Sequence, residues 1–306
     1  MQKITVILGP TACGKSELAL ELARRAGGHI VSADSMQVYR RMDIGTAKPS
    51  PAIRQEIPHH CIDLVEPSQS FSVAQFVACA DAAIANIAAA GKCALVVGGT
   101  ALYLKSLAEG LFEGPSADPE FRRQLADRIG REGLPALHAE LAGIDPQAAG
   151  RIHPNDQKRI VRALEVYRLT GQPISQLQQQ WDRPAKRYDC LYIGLRRSRD
   201  DLSSRINARV KSMIQEGLRD EVAGLLAEPA GLSPQAAQAL GYAEMIRHLR
   251  GELTLDEAVE QIKINTRQFA KSQRTWFRRF TDVHWIDMEL DTPISAALDQ
   301  ALAVMT

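Results

Sequence analysis

The chain lacks the features that would place a protein outside the cell, in a membrane or around a metal. Its five cysteines (Cys13, Cys61, Cys79, Cys93, Cys190) are scattered and odd in number, with no C-x-x-C pair. That argues against a zinc cluster or a disulfide framework and suits a reducing cytosol. No apolar run approaches membrane-spanning length. Neither charge is in excess: Lys+Arg number 37 and Asp+Glu 36, a formal net charge of +1. Any surface for a polyanion must therefore be local. Internal repeats and low-complexity tracts are absent, and His59-His60 has no partner at ligand spacing, so it reads as structural. What remains is 306 residues, 45% hydrophobic and 24% charged, the make-up of a globular protein of one large or two ordinary domains. The expectation is a cytoplasmic protein without a membrane.

Against this plain background one segment stands out. Gly9-Pro10-Thr11-Ala12-Cys13-Gly14-Lys15-Ser16 fits G-x-x-x-x-G-K-[ST], the phosphate-binding loop. The β-branched run Ile4–Leu8 precedes it, and Leu18, Leu22 and Ala26 follow at helical spacing. Strand, glycine loop and helix together turn backbone N–H groups onto phosphate oxygens. Lys15 would add a point charge, and the Ser16 hydroxyl would hold Mg²⁺. The loop begins so near the first residue that no signal peptide is expected ahead of it.

The first hundred residues alternate strand and helix. Strands are expected at 4–8, 29–33, 61–65 and 93–97, and long helices at 71–90 and 101–109. The wholly apolar run Cys93–Val97 predicts a central parallel strand. This is a P-loop-like α/β layout, a parallel sheet flanked by helices, with ligands beyond the C-terminal strand ends. Gly110 to Ala117 breaks the pattern. From there to Gln180 only helical spacing is seen, with a start at Pro154-Asn155-Asp156 and a stop at Gly171-Gln172-Pro173. Cys190–Leu195 then reads as a strand returning to the sheet. The expected organisation is a core over 1–114, an all-helical insertion over 115–180, and a mostly helical second part of the core over 181–306.

Three constellations could carry chemistry. Asp34 follows the second strand, near the loop, as a general base or metal ligand; Asp34-x-x-Gln37 equally fits a capping box. Gly98-Gly99-Thr100 follows the strand at 93–97, where Thr100 could reach a phosphate or cap a helix. That strand ends in glycine where a nucleotide hydrolase usually carries an aspartate, which argues against hydrolysis. Finally, Lys263, Arg267, Lys271, Arg274 and Arg278 recur at intervals of four, four, three and four, with no acidic residue between Glu260 and Asp282. On a helix that is one cationic face, with Phe269, Trp276, Phe277 and Phe280 lying mostly off it. An RNA backbone is its natural partner; packing on acidic core surface is the plainer alternative. A second cluster, Arg151, Lys158, Arg159, Arg162 and Arg168, lies in the insertion with Arg122-Arg123 at its entry, offset in part by Asp156 and Glu165. The two clusters suggest a charged cleft between core and insertion. Either Arg205 or Arg209, in the helical run 202–213, could reach the phosphate loop.

Taken together the sequence resembles the tRNA dimethylallyltransferases of bacterial type. The matching segments, besides the loop, are Asp34–Arg40, Gly45-Thr46-Ala47-Lys48-Pro49, Gly98-Gly99-Thr100-x-x-Tyr103, Arg151–Asp156, Arg162–Tyr167, Gly241-Tyr242 and Thr275–Arg278. They span nearly the whole chain. The resemblance implies transfer of a dimethylallyl group from dimethylallyl diphosphate to the exocyclic amine of the adenosine just 3′ of the anticodon, in tRNAs reading codons that begin with U. It implies Asp34 as general base, Thr100 as a phosphate contact and Arg209 as a stabiliser of diphosphate. The loop from Gly9 to Ser16 would hold the diphosphate with Mg²⁺. Contacts to the anticodon stem-loop would come from Asp34, Ser35, Met36, Gln37, Thr100, Arg122, Lys158, Arg159, Ile160, Val161, Arg162, Lys271, Arg274 and Arg278. A monomer is expected. Cys13 stands where serine is usual, and Ser272 where a basic residue is common; neither removes a named catalytic group. The competing readings are a small-molecule or nucleotide kinase, a prenyltransferase of free adenine nucleotides and an RNA-binding GTPase. A kinase would need a base pocket and lid arginines; a mononucleotide needs no long basic insertion.

Overall fold

In a computed structural model the described residues are 1–112, 114–178, 186–290 and 292–305. They fall into two compact units. The first joins Met1–Ala108 to Arg187–Thr306, and the second is Glu109–Lys186. The segment 179–185, where the insertion is expected to end, lies outside the described residues.

The first unit is built on six parallel strands: β1 (Lys3–Leu8), β2 (His29–Ser32), β3 (His59–His60), β4 (Ala94–Gly98), β5 (Asp189–Arg197) and β6 (Val283–Met288), in the order β3-β2-β4-β1-β5-β6. Helices α1 (Lys15–Ala26), α2 (Pro51–Glu56), α3 (Val73–Ala89) and α4 (Ala101–Glu109) belong to the first half of this unit. Beyond β5 come, in the chain's later part, the helices Arg199–Gln215, Leu218–Ala227, Tyr242–Leu249, Leu255–Phe277 and Ile294–Met305. β1 and β4 are apolar because helices cover both sheet faces: from Ile7 to Leu8 and from Leu95 to Val96 the exposure is 0%. Leu8 is level with Gly98 on one side and Gly194 on the other, so β1 and β4 end together while β5 runs on to Arg197. The chain leaves β1 toward one sheet edge and later returns to its other side. The strand ends around β1 are thus where a crevice is expected.

One strand lies elsewhere than its sequence suggests. The run 61–65 is not a ladder; the edge strand is His59–His60, and Val65 forms only a single bridge with Tyr39. Cys61 and Asp63 take left-handed backbone angles, φ 62° and 54°, which no extended strand accommodates. Asp63 is drawn inward instead by Lys48 Nζ at 2.7 Å and by Arg54. Burial alone would raise its carboxyl pKa, but the two cations outweigh it and the net shift is downward. His29 and His60 stack edge strand on neighbour, with Nδ1 and Nε2 at 3.2 Å.

The second unit is helical throughout its described residues: α5 (Pro119–Glu132), α6 (Leu134–Ile144), α7 (Pro146–Arg151), α8 (Gln157–Thr170) and α9 (Ile174–Leu177). With the later helices of the first unit numbered in chain order, these become α10 to α14. Asp156 caps α8, accepting from the Arg159 N–H at 3.1 Å, and Gly171 ends it at φ 69°. Leu125, Leu137, Leu141, Ile160 and Leu164 make its own core. Inside it Glu165, with a side chain 0% exposed, accepts from Arg122 at 2.7 and 2.8 Å, Arg162 at 2.6 Å and the Asp118 N–H at 2.8 Å. Burial pushes its pKa up, yet these donors outweigh burial and lower it. Its stabilising effect is therefore complete above the ordinary carboxylate range and lost as pH falls through the lowered value. Glu165→Gln removes the charge and leaves two guanidiniums facing a neutral group. It should cost this unit about 1–3 kcal/mol, read as faster amide hydrogen exchange along α8. Unchanged exchange would show that the cluster is not structural.

Candidate active site

The loop after β1 is held by its neighbours in a fixed curve. Ala12 adopts a left-handed φ of 64°, a conformation that costs a non-glycine residue about 1 kcal/mol. Two arginines hold it there from outside: Arg205 Nε donates to the Ala12 carbonyl at 2.9 Å, and Arg197 Nε to the Cys13 carbonyl at 3.0 Å. Arg197 is itself anchored by Asp201 at 2.7 Å and nearly buried. Arg209, half-buried, donates from Nη1 to the Thr11 hydroxyl at 3.3 Å. Burial pulls its pKa below the usual value, yet a guanidinium stays charged in a protein. So both candidate arginines of α10 reach the loop, Arg209 by its contact to the Thr11 hydroxyl and Arg205 by way of the backbone. Lys15 Nζ donates to the Pro10 carbonyl at 2.8 Å across the cradle. Pinning carbonyls outward leaves the N–H groups of the curve for an anion.

Besides the turn bond from the Cys13 N–H to the Pro10 carbonyl at 3.4 Å, one N–H is already taken. The Thr11 amide donates at 2.8 Å to Gln273 Oε1, and Gln273 Nε2 donates at 2.9 Å to the Gly99 carbonyl. Gln273, on α13 (Leu255–Phe277), is buried and bolts the loop after β1 to the loop after β4. Gly99 is a glycine for this reason: a Cβ there would lie 2.3 Å from Gln273 Nε2. Thr100 stands at the start of α4, its carbonyl accepting from the Leu104 N–H at 3.2 Å, but its hydroxyl is turned to another loop. Its hydroxyl accepts from the Ser35 N–H at 3.1 Å, tying the loop after β4 to the loop after β2.

Asp34 sits in that second loop. Its Oδ1 accepts from the Met36 N–H at 2.8 Å and more weakly from Gln37 at 3.4 Å. This is a tight turn, not a helix cap; its other oxygen takes no hydrogen bond among the described residues. Gln37 works internally: Ser32 donates to it, and its amide donates to the carbonyls of Thr46 and Ala47. The 43–48 loop is clasped from behind. Glu221 accepts from the N–H groups of Asp43, Ile44 and Gly45 at 3.0, 2.8 and 3.3 Å, and the Tyr242 hydroxyl donates to it too. A Cβ on Gly45 would lie 2.4 Å from the Tyr242 ring, so two motifs some two hundred residues apart are one contact.

These loops enclose two cavities. One, of about 370 Å³, is lined by Lys15, Ser16, Asp34, Gln37, Thr46 and Arg209. The other, of about 390 Å³, is lined by Asp34, Met36, Thr100, Met213, Leu240 and Arg209. Asp34, Thr11, Gly99, Arg209, Phe269 and Gln273 line both. The first is a polar, phosphate-type space; the second has a larger apolar share. Ser16 is exposed beside Lys15 and contributes one hydroxyl oxygen, and no cluster of three acidic or imidazole ligands exists among the described residues. That donor set fits a Mg²⁺ held mostly by phosphate oxygens and water.

The cationic residues divide. α13 ends at Phe277, so Arg278 is its cap. Lys263 is paired with Glu260 at 2.6 Å and Arg267 donates to Asn207 at 2.7 Å. Lys271, Arg274 and Arg278 are exposed and line a groove of about 940 Å³ between α10 and α13. Phe277 and Phe280 are buried in the core. In the second unit, Lys158 and Arg159 are exposed, Arg159 beside Asp156 at 3.3 Å. Ile160 is fully buried and Val161 packs on that unit's core, so the Ile160 side chain is in no position to touch an RNA. Arg122 and Arg162 face the buried Glu165 rather than standing free. Sequence reasoning missed Arg197, Glu221 and Gln273 as parts of the site. None carried a signal, because each meets its partner only through the fold.

Fold and site together define a P-loop enzyme whose phosphate cradle opens onto a second, less polar cavity. The model of the IPP transferase family matches residues 37–280, and that of isopentenyl transferase residues 2–61. A tRNA dimethylallyltransferase of Geobacter metallireducens is 50% identical over 93% of this chain and 92% of its own. The full-length tRNA isopentenylpyrophosphate transferase of Bacillus halodurans is 40% identical, with a TM-score of 0.74 over 100% of this chain and 96% of that one. A eukaryotic dimethylallyltransferase acting on tRNA has a TM-score of 0.82 at 29% identity, over 100% of this chain and 78% of its own. The chain belongs to the IPP transferase family. The kinase reading, open on the phosphate loop alone, finds no support among these relatives.

Proposed function

We propose that the protein transfers a dimethylallyl group from dimethylallyl diphosphate to N6 of the adenosine 3′ of the anticodon in tRNA, giving N6-isopentenyladenosine and diphosphate. The observation that carries this is the shared wall. Asp34 and Arg209 line both the phosphate-type cavity and the less polar one, so a carboxylate and a guanidinium stand between the two reactants. In the reaction the allylic C–O bond breaks and its electron pair leaves on the diphosphate. The N6 lone pair forms the new C–N bond, and one N6 proton passes to the Asp34 carboxylate. The loop N–H groups, Lys15 and Arg209 stabilise the leaving charge. Mg²⁺, held by Ser16 and the diphosphate, would add further neutralisation of that charge. The amine is a weak nucleophile because its lone pair is delocalised into the ring, so a base that takes its proton as the bond forms lowers the barrier. To reach Asp34 the adenosine must leave its stack, at a cost of a few kcal/mol. Phosphate contacts offset that cost.

Lys271, Arg274 and Arg278 are the cations of α13 that support RNA binding by the core, and Lys158 and Arg159 those of the insertion. Replacing Lys271 and Arg274 with alanine should weaken tRNA binding uniformly and flatten its logarithmic salt dependence by about two contacts' worth. An unchanged slope would remove that groove as a phosphate contact. The tRNAs served are those reading codons that begin with U. The protein works as a cytoplasmic monomer. Among the described residues no helix is long and apolar enough to cross a membrane. The direct test incubates the protein with dimethylallyl diphosphate, Mg²⁺ and tRNA and weighs the digested nucleosides. One adenosine per tRNA should gain a C5H8 unit. Phosphoryl transfer from labelled ATP, with no prenylated nucleoside, would overturn the proposal.

A further inference from the structure

α13 places a partly exposed aromatic ring in the wall of the candidate site. Phe269 is 43% exposed, in the middle of a long helix and two turns before the fully buried Phe277. Of the exposed large apolar side chains among the described residues, only Phe269 lines the two cavities that contain Asp34. Its backbone position is also fixed. One turn further on, Gln273 bolts the helix to Thr11 and Gly99, so the stretch of helix that carries the ring is held relative to the phosphate cradle and the loop that carries Thr100. A half-wet apolar ring in a concave site is a contact surface awaiting its cover. A flat π-face suits a nucleobase in particular, since every base stacks on it.

We propose that Phe269 is the surface on which the extruded purine stacks, holding its exocyclic amine toward Asp34. This rests on the transfer reading above and adds a base-binding residue to it. A ring half in water is poorly placed to stabilise a developing allyl cation, which a dry pocket serves better. Base stacking therefore accounts for both the exposure and the location. The adjoining Met36, Met213 and Leu240 supply apolar walls but no aromatic face.

The test uses Phe269→Ala, Phe269→Leu and Phe269→Trp in the full chain; the ring is exposed, so none of these should disturb the core. With an anticodon stem-loop as substrate, Phe269→Ala should raise the KM for RNA by about 10–100-fold and leave that for dimethylallyl diphosphate within about threefold. Trp should restore function, and Leu, apolar but without a π-face, should not. A second readout needs no turnover. A stem-loop carrying 2-aminopurine at the target position has no amine where the reaction occurs, and its emission should be more quenched in complex with wild type than with Phe269→Ala, where the extruded base has no ring to stack on. Three results would overturn the proposal: a KM rise for dimethylallyl diphosphate instead, no change in either KM, or rescue by Leu equal to that by Trp. If wild type quenched the probe yet prenylated no tRNA, the transfer reading would fall and stacking would stand. Normal transfer with an unaffected Phe269→Ala would do the reverse.

Discussion

Asp34→Asn should lower single-turnover transfer by about 10²–10⁴-fold while tRNA affinity stays within a few-fold. Asparagine is the informative choice here. Oδ1 of Asp34 accepts the Met36 N–H at 2.8 Å and holds the turn that carries Ser35 and Met36. An amide oxygen keeps that bond, so the loop geometry survives and only basicity is lost. Because both cavities include Asp34, a purely structural role would show as weakened substrate binding with the chemical step intact. A normal chemical rate in the variant would remove Asp34 as the base and would leave the proton to another acceptor.

The second large effect is expected at the cradle. Lys15→Met should cost about 10²–10³ in transfer rate, the scale at which one preorganised charge or donor on a leaving oxygen is felt. Lys15 Nζ already spans the cradle to the Pro10 carbonyl at 2.8 Å, so it waits in place and needs little reorganisation. The loop itself should persist, since Arg197, Arg205 and Gln273 hold it from outside at the Cys13 carbonyl, the Ala12 carbonyl and the Thr11 amide. The measurement is diphosphate release under single turnover with saturating RNA. A rise confined to the KM for dimethylallyl diphosphate, with the chemical rate unchanged, would mean that Lys15 binds ground state and transition state alike.

What the sequence revealed and what it hid follow one physical line. The phosphate loop and the buried strands were legible because their signals are local: glycines at fixed offsets and runs of apolar residues that only a covered parallel sheet explains. The P-loop-like parallel sheet flanked by helices is the observed fold. The strand expected at 61–65 failed because left-handed residues at Cys61 and Asp63 turn the chain, and nothing in an apolar run announces that. Asp34-x-x-Gln37 looked like a cap and proved a turn, with Gln37 spent on Thr46 and Ala47. The supports of the site were illegible for a different reason. Gln273 and Thr11 are 262 residues apart and Glu221 and Gly45 are 176 apart; only the fold brings them together. Charge counting misled in one place. Arg122 and Arg162 read as a basic cluster, yet both face the buried Glu165, a carboxylate that the sequence showed only as a partial offset.

A glycine cradle that grips a departing diphosphate opposite an extruded adenosine fixes the stoichiometry of the reaction. Tracking diphosphate release and nucleoside mass in the same quenched samples should give one diphosphate for each N6-prenylated adenosine, with none released when RNA is omitted. Diphosphate appearing without prenylated adenosine, or prenylation of free adenine nucleotides at the same rate as tRNA, would contradict it.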